Sequence, residues 1–325
     1  MTTLTSTTPS SIKAGPWVDE DRSKSDPLPL VDEYDDRPCV RDLIQHHETR
    51  IRAIHSKIQS DPSYDPHKHD DLWILRFALS HKSDKKAAAC AIQFMHYRRE
   101  RNLDETDIRH HVPGQDCPVR GVGQFYNSLD DDDCMQFTHP DPDRGVLMVK
   151  RIAGFHQSKI AEISDEDWPF WYFLEWMFQR LDHVTRRTGR LTKGIRFMDL
   201  QGYHHVRQGN KECIHRNAAS ARETTEFYPQ MLATVFVLNA PVWGQVVFTC
   251  LKPLLPRTFV QKIVVFNPRS KGDYLSILKH LSPENIPFQV KTTIAMATTA
   301  ASPEPPLETA LQDEKQHVIT ATASS

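Results

Sequence analysis

The chain has 325 residues, 39% hydrophobic and 25% charged, with a formal net charge of −2 and a pI near 6.8. That balance fits a folded protein with a real core, as one large domain or two smaller ones. It sets aside a nucleic-acid binder, which usually shows a basic face, and the absence of any apolar run of about 18 residues excludes a transmembrane helix.

Residues 1–37 are rich in Thr, Ser, Pro and Asp and are expected to be a disordered tail. They lack the apolar core of a secretory signal and any lipidation motif. The six cysteines, at 39, 90, 117, 134, 213 and 250, include no CxxC pair. A cytoplasmic chain with reduced thiols is therefore expected.

A first helix is predicted over Cys39–Gln59, with Val40, Leu43, Ile44, Ile51, Ile54 and Ile58 at mostly helical spacing. The run from Asp61 to Pro66 breaks it. Leu72 to Leu79 reads as a short buried helix, and Ser83-Asp84 as the cap of another from Lys85 to Arg101. Residues 38–105 are thus expected to form an N-terminal helical unit. Residues 106–143 read as a linker, in which the acidic run Asp130–Asp133 is a solvated loop without EF-hand spacing. The histidine pairs at 46–47, 110–111 and 204–205, and His67 with His69, lack metal-site spacing, so no metal is expected.

A larger unit spans 144–290. Val146–Ile152 is a strand, and Ser164 to Asp167 resembles a capping box opening an aromatic helix near Asp167. Ile195–Leu200 is a second strand, followed by a helix from Asn210 to Phe227 and the strand Thr234–Leu238. The chain then enters the run Asn239 to Ile263, which carries no formal charge from Ala240 to Leu251. Pro241 fits a first helical turn, and Lys252-Pro253 ends the apolar helix predicted between them. That helix is either a core element or a lid that covers an apolar cavity in water and meets lipid when open. The strand Ile263–Phe266 and a helix from Tyr274 to Leu281 follow. Strand and helix in alternation predict an α/β fold with a mainly parallel sheet covered by helices. Residues 291–325 return to Thr, Ala, Pro and Ser and are expected to be a second disordered tail.

Five local runs, in order, resemble the CRAL-TRIO (Sec14-like) family of lipid-binding and lipid-transfer proteins. They are Leu75-Arg76-Phe77 with Asp84 and Ala87; Met198-Asp199-Leu200-Gln201-Gly202; and Tyr228-Pro229-Gln230 with Phe236-Val237-Leu238-Asn239-Ala240-Pro241. Lys252-Pro253-Leu254-Leu255 with Lys262-Ile263 follows, then Pro283-Glu284-Asn285-Ile286-Pro287. The resemblance covers roughly residues 70–288. It implies a non-enzymatic protein with a gated apolar pocket floored by the sheet, binding a phospholipid-like lipid and transferring or presenting it between membranes. It also implies transient contact with a membrane surface, a bound lipid in place of any cofactor, and the possibility of protein partners through the tails. The alternative is a regulatory docking module of the same fold with a vestigial pocket. No GxSxG, P-loop or GxGxxG motif supports an enzyme.

The resemblance implies lipid contacts at Arg196, Met198, Gln230, Phe236, Trp243, Phe248, Leu254 and Lys262. Lys262 matches the lysine of the family's inositol-phosphate site, but Gln230 stands at its acidic position and His81-Lys82 at its arginine-lysine pair. Gly194 and Arg196 replace hydroxyl residues that contact a choline lipid in some members. Alternation puts Arg196, Met198 and Leu200 on one strand face and Ile195, Phe197 and Asp199 on the other. A cation facing an apolar pocket needs an anionic partner, from the lipid or from a protein acid; at the rim it pairs with a surface acid instead.

Overall fold

The computed structural model describes residues 37–111, 113–114, 117–119, 121–138, 145–204, 210–240, 257–267, 271–278, 281 and 286–299. The N-terminal part is helical: α1 (Val40–His46), α2 (Glu48–Ile58), α3 (Asp71–Ser80) and α4 (Asp84–Glu100). The single helix expected over Cys39–Gln59 is broken at His47, whose backbone (φ −104°, ψ 14°) leaves the helical region. Asp70 caps α3 by accepting from the Trp73 N–H at 3.0 Å, and Ser83 caps α4 from Lys86.

The stretch 106–143 holds more order than a linker: a short helix α5 (Val122–Tyr126) and a strand β1 (Met135–Thr138). β1 runs antiparallel to β2 (Leu147–Arg151). After the short α6 (Gln157–Ala161) comes the aromatic helix α7 (Phe170–Thr188). It starts later than the capping pattern implies. Ser164 does bond Asp167, accepting its N–H at 3.2 Å, but this closes a turn, and Pro169 then precedes the helix. Gly189, at φ 65°, ends α7 with its N–H on the Thr185 carbonyl at 2.9 Å.

The strands β3 (Gly194–Asp199), β4 (Leu232–Leu238) and β5 (Ile263–Val265) complete a five-stranded sheet in chain order, parallel from β2 to β5. The helices α8 (Lys211–Glu226), α9 (Arg257–Val260), α10 (Lys271–Leu278) and α11 (Phe288–Thr299) surround it. Asn210 caps α8 by accepting from Cys213 N–H at 3.1 Å. α11 occupies 291–299, where the composition predicts a disordered tail; Val290 and Thr293 are buried in it.

Two cores form. One joins the N-terminal helices, the loop around Leu103–Tyr126, α7 and the edge of the sheet. The other fills one sheet face: Leu147, Val149, Ile195, Phe197, Phe236 and Leu238 pack against Phe266, Ile277, Leu281, Ile286 and Val290. Phe197 and Phe236 stack there with centroids 5.1 Å apart.

Among the described residues, two ion networks, one buried and one reaching the surface, link the helical unit to α7. Arg98 pairs with Glu175, which also accepts from Tyr228 and Gln179. Arg76 of the Leu-Arg-Phe run reaches Asp182 at 3.2 Å, and Asp182 in turn holds Arg186, which also grips Asp70. Among the described residues no helix is long and apolar enough to cross a membrane.

Candidate functional site

The sheet register sorts the candidate residues. Met148 pairs with Arg196 and Lys150 with Met198 across β2 and β3; Arg196 then pairs with Val235 and Met198 with Val237 across β4. Directly paired residues of a sheet point to the same side. One face therefore carries Met148, Lys150, Arg196, Met198, Val235 and Val237, as the alternation of β3 predicts for Arg196 and Met198. Phe236 belongs to the opposite face, in the core with the C-terminal helices. The structure thus does not bring Phe236 together with Arg196 and Met198.

The first end of the Arg196 face is filled by α7. A Cβ at Gly194 would lie 3.1 Å from Met177 Cε and 3.2 Å from the Val146 carbonyl oxygen, so the missing side chain is what lets α7 close on the strand. Further along, Arg196 and Lys150 are each only 9% exposed. Arg196 Nε is buried with no hydrogen-bond partner among the described residues. Burial alone pushes its guanidinium down to about 10. Lys150 Nζ stands 6.0 Å from the centre of the Phe155 ring. Burial, reinforced by repulsion from Arg196 and opposed by the Cys213 thiol of α8, pushes its ammonium down to about 7. Among the described residues no carboxylate is within bonding reach of either cation.

Gln230 and Lys262 lie elsewhere, at the first end of β4. Gln230, in the left-handed region at φ 60°, donates from Nε2 to Ser80 Oγ at 2.9 Å. Lys262 donates to the Leu232 carbonyl at 2.5 Å; burial, with Lys193 nearby, pushes it down to about 8. His81 follows Ser80, and its buried Nε2 has no partner among the described residues. Gln230 thus links the approach to β4 with the last residue of α3, next to His81, while Lys262 bonds the first residue of β4. Trp243, Phe248 and Leu254, and with them the predicted apolar gate helix, lie outside the described residues.

Lys150 carries chemistry that the sequence reading passed over. The signal was present in the run VLMVKRI, where Lys150 alternates with Met148, but only the register with β3 puts it beside Arg196. A surface cleft of about 300 Å³ beside α7 is also basic, lined in part by Arg109, Arg180 and His183. There, however, Arg109 is held by Asp107 and His183, and Arg180 donates to the Arg109 carbonyl. No group of three or more His, Cys, Asp or Glu among the described residues is placed to hold a metal ion.

Asn239 joins two of the sequence runs, the one that ends β3 and the one that ends β4. At φ 50°, its Nδ2 donates to Asp199 Oδ1 at 2.9 Å and to Thr293 Oγ1 at 3.1 Å. It ties the ends of β3 and β4 to α11.

The family model for the CRAL/TRIO domain matches residues 140–291. The chain is 20% identical over 224 residues to the SEC14 cytosolic factor of Kluyveromyces lactis, covering 67% of this chain and 69% of that one. It is 22% identical over 228 residues to the Sec14 cytosolic factor of Schizosaccharomyces pombe, covering 68% and 74%. The crystal structure of Sfh5 superposes with a TM-score of 0.43 at 14% identity, over 66% of this chain and 79% of that one. The ordered motifs and the parallel sheet agree with these likenesses: residues 140–291 match the CRAL/TRIO domain, and about two thirds of the chain is similar in sequence to Sec14 cytosolic factors.

Proposed function

We propose that this protein binds a phospholipid-like lipid in an apolar pocket floored by the sheet and carries or presents it between membranes, without catalysing a reaction on it. The observation that carries the reading is the division of labour between the two sheet faces. One is closed by α10 and α11. The other presents Met148, Met198, Val235 and Val237 around two buried cations, a surface suited to an amphipathic molecule. The family likeness supports the same reading.

The physical logic is that of a carrier. Each buried CH₂ of a lipid tail avoids about 0.8 kcal/mol of exposure to water. An apolar cavity removes that penalty in transit. The uncharged run from Ala240 to Leu251, between β4 and β5 in the sequence, is assigned the gate: it covers the cavity in water and lies on the bilayer when open. Contact with membranes is then transient and peripheral.

Native mass spectrometry of the purified full chain, with extraction and identification of bound lipid, tests the proposal. A stoichiometric lipid is expected. No bound lipid, and none acquired from mixed liposomes, would overturn it in favour of a docking module acting through protein partners.

A further inference from the structure

We infer that Lys150 and Arg196 form an internal anion site that receives the phosphate or carboxylate of the ligand. The inference rests on the lipid-binding reading and adds the chemical class of the ligand's polar end.

The argument begins with how this chain buries its other arginines. Arg76, 1% exposed, meets Asp182 through Nη2, although its Nε and Nη1 find no partner among the described residues. Arg98, 4% exposed, meets Glu175 through two nitrogens and Asp104 through a third. Each of these guanidinium groups, withdrawn from water, has been given a carboxylate. Arg196, also withdrawn, meets none among the described residues, and its Nε is unsatisfied. A second cation, Lys150, stands on the neighbouring strand of the same face, in the next pair along that face.

An unpaired buried charge is expensive, and two of like sign raise the penalty further. A lysine can escape by losing its proton, and burial beside Arg196 moves Lys150 towards doing so. An arginine has no such escape in practice. The pair is therefore incomplete as it stands, and what completes it is an anion. A guanidinium offers a planar fork for two oxygens of a phosphate or carboxylate, and an ammonium supplies a mobile donor to a third position. The flanking Met148, Met198, Val235 and Val237 are apolar, so the molecule that brings the anion is expected to be apolar beyond it. A phosphate-bearing or carboxylate-bearing lipid satisfies both demands; a sterol or a diacylglycerol satisfies only one.

The test loads the purified full chain from phosphatidylcholine vesicles containing equal amounts of phosphatidic acid, oleic acid, diacylglycerol and cholesterol, then quantifies the lipid carried. The same is done with the variant K150M/R196M, which removes buried charge and so relieves the fold. The wild type is expected to favour the phosphate- and carboxylate-bearing lipids, phosphatidylcholine included and each counted per mole supplied, over diacylglycerol and cholesterol by about tenfold or more, and the variant to lose that preference. Loaded wild-type protein without the preference, or an equal preference in the variant, overturns the inference while leaving lipid binding intact. Should the double variant not fold, Lys150→Met alone carries the comparison, and an unchanged ratio overturns the inference. Absence of lipid in the wild type defeats the lipid reading. The melting temperature with added inorganic phosphate then decides: a rise in the wild type that the variant lacks keeps the anion site, with free phosphate as its ligand, and no rise overturns it.

Discussion

Arg98 of α4 and Glu175 of α7, 77 positions apart, meet in a two-pronged pair, Nη1 to Oε2 at 2.8 Å and Nη2 to Oε1 at 3.0 Å. Both are almost fully buried, and Tyr228, just before β4, donates to the same carboxylate at 3.1 Å. One carboxylate thus gathers the helical unit, the aromatic helix and the approach to the sheet. Removing one partner strands the other, which is worth about 3–5 kcal/mol in buried pairs. Glu175→Ala is expected to lower unfolding stability by about that amount in urea titration, and R98M/E175L to recover part of it. A single variant within about 0.5 kcal/mol of wild type, the scale of an ordinary surface change, would show that water reaches the pair.

Lys150 gives the ligand-free protein a pH signature. Its ammonium titrates near 7 in the fold, against about 10.4 in an unfolded chain. Between those values the unfolded state holds the extra proton, so stability rises with pH. The slope from this group approaches about 1.4 kcal/mol per pH unit and vanishes below 7, where both states are protonated. The groups acting on Lys150 are Arg196 on β3 and Cys213 on α8, with the Phe155 ring alongside. The stability difference between wild type and Lys150→Met, followed by urea unfolding from about pH 6.5 to 9.5, is expected to change by this slope. A flat difference would mean that the amine is solvated.

The gate assignment predicts that Phe248→Asp, which puts a charge in an otherwise uncharged run, abolishes vesicle-to-vesicle lipid transfer. The loss is expected to exceed about tenfold, with far-UV circular dichroism unchanged. Wild-type transfer by this variant would move the gate elsewhere in the chain.

Asn239 is expected to be hard to replace. Asn239→Ala removes bonds to Asp199 and Thr293 and puts alanine at φ 50°, so a loss of about 2–3 kcal/mol is expected. Asn239→Gly relieves the backbone and should lose less. Chemical denaturation of both variants separates the amide from the backbone; equal losses would assign the whole effect to the amide.

Legibility followed the locality of the signal. The parity of β3 was readable because Arg196 and Met198 alternate with the apolar Ile195 and Phe197 within one strand. Lys150 was not, since its meaning lies in a register with a strand far along the chain, where it meets Met198. Phe236 looked like a pocket residue because its motif is diagnostic, yet its parity in β4 puts it against Phe197 and the C-terminal helices. β1 is four residues long beside an acidic run, too short for alternation to stand out. α11 is rich in threonine and alanine, a weak signal on its own, and packs through Val290 and Thr293. Glu175 hid in plain view as the single acid among FWYFLEWMF.

The sheet's strands pair in the order in which they are made. A ribosome can therefore lay the sheet down strand by strand, with no later strand threading between earlier ones. The helices that cover Val149, Phe197 and Phe236 come last, and the first of them begins at Lys271. Until residues 271–290 emerge, an apolar sheet face stays open to whatever is nearby, the condition that invites aggregation or chaperone capture. A chain stopped before Lys271 is accordingly expected to be insoluble even though every strand of the sheet is present.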